Sequence, residues 1–223
     1  MRWGGKAPSP ARGFHGVMRA DPRHWPCWRL DERASKRSTD RFIGENAPSK
    51  EPTQITDMTL IQTKNPKFTL RFATPDDAGL VLDYMKKLGA YQKMLDKITA
   101  TEEGLRKLLV EGKGEAVLGD YEGQTVGFVY FFQNSSAFIG QSGLYVDGFL
   151  VDDAVRFQGL GHIMMAFMSK LAVERGCQRL EWGCLDWNEP TIAFYRNMGA
   201  YSVDAMTIFR FSPDQLKVNA ALF

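Results

Sequence analysis

The spacing of apolar and polar residues predicts regular structure from residue 67 onward. Alternating apolar and polar positions indicate strands, whereas apolar residues at i, i+3, i+4 and i+7 indicate an amphipathic helix. These patterns predict strands over 68–72, 116–121, 125–132, 144–151, 179–185 and 207–211. They predict helices over 74–88, 101–112, 159–176 and 189–198. The order β-α-α-β-β-β-α-β-α-β is typical of an α/β fold in which helices cover a mixed sheet.

Residue types at the ends of these elements support the predicted boundaries. Thr74 and Thr101 are suitable N-caps, and Pro75 suits a first helical position. Gly89 is predicted to end the first helix, because glycine is disfavoured inside helices. A turn at 122–123 predicts a hairpin between two strands.

Residues 1–57 differ from the remainder in composition and charge. They contain 11 Lys or Arg and 7 Asp or Glu, whereas residues 58–223 contain 17 and 19. We therefore predict a basic, Pro/Gly/Arg-rich extension over 1–57 that is disordered, loosely attached or not native, and a domain over 58–223. Alternatives for the extension are a true start at Met58 and a nucleic-acid-binding arm carrying Trp3, Trp25 and Trp28.

The overall composition is globular, with 44% hydrophobic and 24% charged residues. No apolar run reaches the roughly 20 residues that span a bilayer, and no signal peptide is recognisable, so we expect no membrane partner and a cytoplasmic location. Cys27, Cys177 and Cys184 lack metal-site spacing, so we expect no metal and no disulfide framework. The charge balance over 58–223 predicts no nucleic-acid partner for that domain.

A glycine-rich turn follows the predicted strand 144–151. Arg156, Gly159 and Gly161 form an R-x-x-G-x-G pattern at the start of a helix. Glycines let the backbone approach a ligand closely, and unsatisfied N–H groups at a helix start attract anions such as a pyrophosphate. The spacing matches neither G-x-x-x-x-G-K-[ST] nor G-x-G-x-x-G, which weakens kinase, GTPase and dehydrogenase hypotheses. A tight connection without a ligand is the alternative.

The same turn resembles the coenzyme A-binding motif of the GNAT N-acetyltransferase family. Residues 185–200, LDWNEPTIAFYRNMGA, resemble the W-N-x-P-[ST]-I-x-F-Y-x-x-x-G-A segment of the diamine (spermidine/spermine) acetyltransferase branch. The resemblance covers about 68–211. It implies a GNAT-type mixed central sheet flanked by helices, in which parallel strands 4 and 5, here 144–151 and 179–185, splay apart. It also implies acetyl-CoA as the co-substrate and a homodimer.

The resemblance further implies which residues bind acetyl-CoA. Asn188 either caps the helix that it precedes or binds the coenzyme. Tyr195 is the predicted general acid, because a phenol can protonate a leaving thiolate; a packing role in the helix is the alternative. The backbone of Phe149, Leu150 and Val151 would pair with the pantetheine arm, as an added strand does. The pyrophosphate site would comprise Arg156, Phe157, Gln158, Gly159, Leu160, Gly161 and His162.

Asp147 is predicted to bind the acceptor amine and to take its proton through a water. Burying an unpaired carboxylate is costly, so an acidic residue in an otherwise apolar strand suggests a functional role. The related diamine enzymes carry Glu at this position, and a purely structural carboxylate is the alternative. Tyr91 and Asp96 are further acceptor-pocket candidates. Their segment is less acidic than in the diamine branch, which favours a smaller or less charged amine.

The leading hypothesis is an N-acetyltransferase that moves the acetyl group of acetyl-CoA to a primary amine of a small molecule, such as a diamine, polyamine or amino-acid-like compound. The amine would attack the thioester directly in a ternary complex, helped by positioning and by backbone N–H groups. An acyl-cysteine route has less support, because no Cys lies beside a His. The alternatives are a peptide or protein N-acetyltransferase and a non-catalytic acyl-CoA-binding module.

Overall fold

The computed structural model describes residues 60–203 and 207–222. The predicted extension over 1–57 therefore lies outside the described residues. The strands are β1 (Ile61–Gln62), β2 (Phe68–Phe72), β3 (Glu115–Tyr121), β4 (Gln124–Ser136), β5 (Gln141–Val151) and β6 (Arg179–Trp182). The α-helices are α1 (Ala78–Tyr91), α2 (Glu102–Val110), α3 (Leu160–Glu174), α4 (Glu189–Asn197) and α5 (Pro213–Ala220).

The strands form one mixed sheet in the order β1-β2-β3-β4-β5-β6. All neighbouring pairs are antiparallel except β5 and β6, which are parallel. The hairpin between β3 and β4 turns at Glu122 and Gly123, whose φ angles of 51° and 84° fit the turn type that matches strand twist. The predicted α/β fold with a mixed, helix-covered sheet is confirmed.

Helices cover both faces of the sheet. α1 and α2 pack on one face, where Tyr84 and Phe128 are buried, and α3 packs on the other, where Val129 and Met164 are buried. Neighbouring residues of one strand thus enter different cores, which explains why the central strands read as continuous apolar runs. Burying each such side chain contributes about 1.5–3 kcal/mol of favourable transfer free energy.

β5 and β6 separate halfway along β5. Residues 143–146 pair with 179–182, whereas β5 continues to Val151 without β6 beside it. β5 also has a bulge at the point of separation: Val146 and Gly148 face consecutive residues of β4, which leaves Asp147 unpaired. This is the predicted splayed parallel pair. The short β1 was not predicted, so the two strands are the fifth and sixth.

The predicted ends of the first helix and of β6 are wrong for identifiable reasons. α1 does not stop at Gly89 but continues to Tyr91. Gly89 is a point of close contact, because a Cβ there would overlap the Ile98 side chain. β6 ends at Trp182 and not at residue 185, since a strand cannot continue once β5 has diverged from it.

Residues 207–211 do not form the predicted strand. Ile208 and Phe209 are 80% and 90% exposed, and none of the described strands pairs with this segment. An alternating pattern becomes a strand only with a hydrogen-bonded neighbour. α5, which follows, was not predicted; its start is capped by the Ser212 hydroxyl, which accepts a hydrogen bond from the Gln215 N–H.

Candidate active site

A cavity of about 310 Å³ lies in the gap between β5 and β6. The C-terminal end of α1, the N-terminal end of α3 and one side of α4 complete its walls. Its size falls in the lower range of small-molecule sites. The predicted site residues that line it are Tyr91, Asp147, Phe149, Leu150, Val151, Arg156, Phe157, Gly159, Leu160, Gly161, His162, Asn188 and Tyr195.

The turn before α3 has a backbone conformation suited to binding an anion. Phe157 and Gly159 have φ angles of 63° and 78°, in the left-handed region that favours glycine. In the described part of the chain, the N–H groups of residues 157–162 donate no hydrogen bond; the first to do so is that of Ile163, which bonds the Gly159 carbonyl at 3.1 Å. Several unpaired N–H groups at the positive end of a helix dipole form a site for phosphate.

Arg156 is held at the edge of this turn from three sides. Its Nε donates a hydrogen bond to the Val151 carbonyl at 3.2 Å, and its Nη2 lies 2.6 Å from Asp153 Oδ1. Its guanidinium also lies 5.0 Å above the Tyr91 ring. Because the planar guanidinium is already oriented, it would lose little freedom on contacting a phosphate.

Among the residues that the structure describes, Asn188 is the one polar residue that is buried, with 6% exposure. It precedes α4, yet its side chain does not cap the helix. Its Oδ1 instead accepts a hydrogen bond from the Tyr91 hydroxyl at 3.1 Å. The capping alternative is therefore wrong. Asn188 and Tyr91 both line the cavity, as does Arg156, which lies over the Tyr91 ring.

Tyr195 lies on α4 opposite the end of β6. Its ring packs against Trp182 and Phe194 with centroid separations of 4.9 and 5.2 Å. Burial, with smaller contributions from Cys184 and Tyr91, raises the pKa of Tyr195 above its usual value of about 10. The phenol thus stays protonated at neutral pH and can donate a hydrogen bond.

Asp147 is exposed in the wall of the cavity, at the bulge of β5. The expected problem of a buried, unpaired carboxylate does not arise, because the bulge turns this side chain out of the core. Bulges commonly re-aim a side chain beside an active site. Burial, and then the charge of Asp147, raise the pKa of the neighbouring Tyr130 phenol.

Two predicted site residues do not line the cavity. Asp96 lies in a short 3₁₀ segment after α1, where its exposed carboxylate pairs with Lys97 at 2.8 Å. Its placement does not support contact with an acceptor in this cavity. Gln158 is exposed and does not line the cavity.

Several cavity residues were not predicted to have a role. Phe194 lines the cavity, and its ring centroid lies 6.4 Å from that of Phe149 and 4.7 Å from that of His162. Thr191, Phe194 and Tyr195 all line the cavity. Their i, i+3, i+4 spacing places them on one face of α4, so the sequence could have predicted that they share a surface. Trp182 and Cys184, by contrast, carried no local signal.

Among the described residues, no group of three His, Cys, Asp or Glu side chains is arranged to hold a metal ion. None of the described helices is long and apolar enough to cross a membrane.

The chain is similar to known acetyltransferases in sequence and in fold. The model of the acetyltransferase (GNAT) family matches residues 87–200. The thialysine N-epsilon-acetyltransferase of Bos taurus is 26% identical over 164 residues, covering 66% of this chain and 94% of that protein. The L-ornithine N5-acetyltransferase NATA1 of Arabidopsis thaliana is 34% identical over 91 residues, which span only 40% of that protein and 41% of this chain.

Solved structures share the fold at lower identity. An integron cassette protein from V. cholerae superposes with a TM-score of 0.57 and 20% identity, covering 69% of this chain and 98% of that chain. An aminoglycoside acetyltransferase from a soil metagenome superposes with a TM-score of 0.58 and 16% identity, covering 66% and 97%.

Proposed function

The chain belongs to the acetyltransferase (GNAT) family, and we propose that this acetyl-coenzyme A-dependent N-acetyltransferase acts on a primary amine of a small molecule. The observation that carries the proposal is one cavity lined by an anion-binding turn, a protonated phenol and an exposed carboxylate. Relatives named for thialysine, L-ornithine and spermidine/spermine support an acceptor that is a diamine, a polyamine or an amino-acid-like amine.

The residues present fit a coenzyme A group. When bound, acetyl-CoA supplies the acetyl group as a thioester. The N–H groups of residues 157–162 and the oriented Arg156 are suited to its pyrophosphate. None of the described strands pairs with residues 149–151 on the side where β6 has diverged. Their backbone groups are therefore available to the pantetheine amides, in the manner of an added strand.

Asp147 prepares the acceptor in the proposed reaction. An alkyl amine has a pKa near 10 and arrives mostly protonated, so it must lose a proton before it can attack. The Asp147 carboxylate would bind the ammonium and take one proton through a water. The freed amine nitrogen then forms a bond to the carbonyl carbon and gives up a second proton to solvent water, and the bond from that carbon to sulfur breaks with its electron pair left on sulfur.

Tyr195 serves the leaving sulfur. Because burial raises the pKa of Tyr195 above that of a thiol, complete proton transfer to the thiolate is uphill. Its main contribution is therefore a hydrogen bond to the charge that develops on sulfur, and the thiolate can collect its final proton after release. A fixed donor in a site that excludes water stabilises such charge effectively.

Direct attack in a ternary complex is favoured over an acyl-cysteine intermediate. Cys184 is the thiol in the cavity wall. Burial, and then the nearby Asp186, raise the pKa of the Cys184 thiol, which disfavours the nucleophilic thiolate. Replacement of Cys184 by alanine should accordingly leave single-turnover acetyl transfer in place.

The proposal is tested by free-thiol release from acetyl-CoA with a panel of diamines, polyamines, amino acids and lysine peptides. Acetylation of small amines in preference to peptides is expected. Preference for peptides would make the chain a peptide N-acetyltransferase. Coenzyme binding by calorimetry with no turnover on any amine would make it a non-catalytic acyl-CoA-binding module.

We also propose that the protein is a homodimer and that it is located in the cytoplasm. The exposed apolar side chains of Ile208, Phe209 and Phe211 favour association with a second subunit. The free thiols of Cys177 and Cys184 suit a reducing compartment. Light scattering of the purified chain would contradict the dimer if only the monomer mass were found.

A further inference from the structure

Asn188 is held at the start of α4 by its main chain. Its N–H donates a hydrogen bond to the Leu185 carbonyl at 2.8 Å, and its carbonyl accepts from the N–H groups of Thr191 and Ile192 at 3.1 and 2.9 Å. Its side chain is buried and does not cap the helix. The main chain therefore fixes where Asn188 stands, but a separate contact must fix which end of its amide faces the cavity.

Tyr91, the last residue of α1, provides that contact. Its hydroxyl donates a hydrogen bond to Asn188 Oδ1 at 3.1 Å. A side-chain amide has an acceptor oxygen at one end and two N–H donors at the other. Nδ2 of Asn188 donates to none of the described residues, and it is not one of the enclosed side-chain atoms that lack a partner. The N–H donors of Asn188 are therefore open to the cavity that this residue lines.

The charge of Arg156 favours this orientation of the amide over the flipped one. Its guanidinium lies 5.0 Å from the centroid of the Tyr91 ring, within the range of a cation–π contact. A positive charge beside a phenol draws electron density from its oxygen, so the hydroxyl becomes a better donor and a poorer acceptor. In the flipped amide, Nδ2 of Asn188 would need the Tyr91 oxygen as its acceptor. The nearby cation therefore keeps Oδ1 toward Tyr91 and Nδ2 toward the cavity.

The Tyr91 ring also packs against a second neighbour. Its centroid lies 6.2 Å from that of Trp187, with an angle of 48° between the ring planes. Aromatic rings attract each other at such separations. Lys93 Nζ in turn lies 5.7 Å from the centroid of the Trp187 ring. The Tyr91 side chain is thus placed by contacts within the protein, before any ligand binds.

The two groups that Tyr91 contacts are donors that suit coenzyme A. Arg156 and Asn188 line the same cavity, and coenzyme A offers them acceptors in its phosphate oxygens and its amide carbonyls. An acceptor amine arrives as an ammonium, which has only donors. It cannot accept a hydrogen bond from Asn188, and the charge of Arg156 repels it. The chemistry of these groups therefore fits the coenzyme and not the amine.

We propose that Tyr91 is a positioning residue for coenzyme A. Its hydroxyl holds Nδ2 of Asn188 toward an amide carbonyl of the pantetheine arm, and its ring supports the Arg156 guanidinium at the pyrophosphate. This inference rests on the proposed function and deepens it. One side chain on α1 thereby prepares two contacts to the coenzyme, which lowers the cost of ordering these groups on binding. The Tyr91 hydroxyl takes this role in place of the acceptor contact predicted from the sequence.

The first test removes the hydroxyl and then the ring. Tyr91→Phe should weaken coenzyme A binding about 3- to 10-fold in calorimetric titrations, because the Asn188 amide loses the hydrogen bond that orients it. Tyr91→Leu should weaken binding by about a further 2- to 5-fold, because Arg156 then loses its cation–π contact. In Tyr91→Phe the KM for acetyl-CoA should rise with the dissociation constant, whereas the KM for the best amine of the panel should be unchanged.

The second test asks whether the hydroxyl acts through Asn188. In an Asn188→Ala background, Tyr91→Phe should change coenzyme affinity by less than about 2-fold, because the group that it positions is gone. Tyr84→Phe is the matched control on the same helix. The Tyr84 hydroxyl donates to the Thr125 carbonyl at 2.7 Å, and Tyr84 does not line the cavity. This control should lower the melting temperature and leave coenzyme affinity unchanged.

The outcomes separate this inference from the proposed function. Wild-type coenzyme affinity in Tyr91→Phe, or a raised KM for the amine alone, would overturn the inference and return Tyr91 to the acceptor pocket. Undiminished loss in the Asn188→Ala background would overturn it too, and the comparison with Tyr91→Phe alone stands even if Asn188→Ala does not fold.

The wild-type protein distinguishes the two levels of the argument. Failure to bind coenzyme A would reject the proposed function and this inference with it. Coenzyme binding without turnover on any amine would reject the proposed function alone, because the calorimetric comparison of Tyr91→Phe with the wild type needs no acceptor.

Discussion

Replacement of Gly161 by alanine should strengthen the fold and weaken coenzyme binding. Gly161 is the second residue of α3 and lines the cavity. A Cβ there would lie 3.5 Å from Phe149 Cζ and 3.6 Å from Phe194 Cζ, which is ordinary van der Waals contact. The free protein can therefore accept the methyl group, but the methyl group occupies the wall along which a pyrophosphate approaches the N–H groups.

Gly161→Ala should change the stability of the fold and the affinity for coenzyme A in opposite directions. Alanine is favoured over glycine in a helix by about 0.5–1 kcal/mol, so the melting temperature should rise by about 1–4 °C for a domain of this size. Loss of close approach by one or two N–H groups should weaken coenzyme A binding by about 1.4–3 kcal/mol, or about 10- to 100-fold.

Gly159→Ala is the matched comparison two residues earlier. No atom lies within 4 Å of its Cβ position, but its φ of 78° is unfavourable for alanine by about 1–2 kcal/mol. Gly159→Ala should thus lower the melting temperature, whereas Gly161→Ala should raise it. Calorimetric scans and titrations with coenzyme A give both quantities. Wild-type coenzyme affinity in a stabilised Gly161→Ala protein would refute the assignment of this turn to the pyrophosphate.

Three further predictions concern titratable side chains. Tyr195→Phe should lower turnover about 10²-fold at unchanged coenzyme affinity, and an undiminished kcat would remove its role at the leaving sulfur. Asp147→Asn should lower kcat/KM about 10²-fold and recover rate as pH rises toward the pKa of the amine; a raised KM at wild-type kcat would make Asp147 a ligand only. Burial, ahead of the neighbouring carboxylates, raises the pKa of Tyr84 as burial does that of Tyr195. The folded state keeps both protons that the unfolded chain loses, so stability should be complete below pH of about 10 and fall above it. Urea midpoints at pH 8 and 10.5 check this, and Tyr84→Phe should flatten the decline.

Features that depend on a few adjacent residues were predictable from the sequence. Thr101 was predicted to cap a helix, and its hydroxyl accepts a hydrogen bond from the Gly104 N–H at 3.1 Å. The turn at Gly159 was predicted from glycine spacing, and Gly159 has a positive φ that glycine adopts readily. Such features are local because a cap or turn is made within one or two turns of backbone.

Features made by distant segments were not predictable in the same way. Tyr91 and Asn188 are 97 residues apart in the chain, yet their side chains share a hydrogen bond that links α1 to α4. Tyr91 is a predicted acceptor-pocket residue, and its ring also lies beneath Arg156 of the turn before α3, a contact that the sequence did not predict. The segment 207–211 shows the converse: its alternating pattern is local, whereas a strand requires a partner that the described residues do not provide.

One backbone irregularity connects the geometry of the site with its proposed chemistry. The extra residue in β5 is Asp147, and pairing with β6 ends at the residue before it. The bulge thus exposes the carboxylate at the place where the strands begin to part. Gly148, the next residue, also shapes this part of the sheet, because a Cβ there would lie only 2.9 Å from Met85 Sδ of α1. α1 can therefore approach the sheet beside the carboxylate. The extra residue at 147 creates the bulge, whatever its side chain is. Its carboxylate is what would bind the amine in the proposed reaction. Asp147→Asn should therefore keep the bulge and remove the charge, which separates the two contributions.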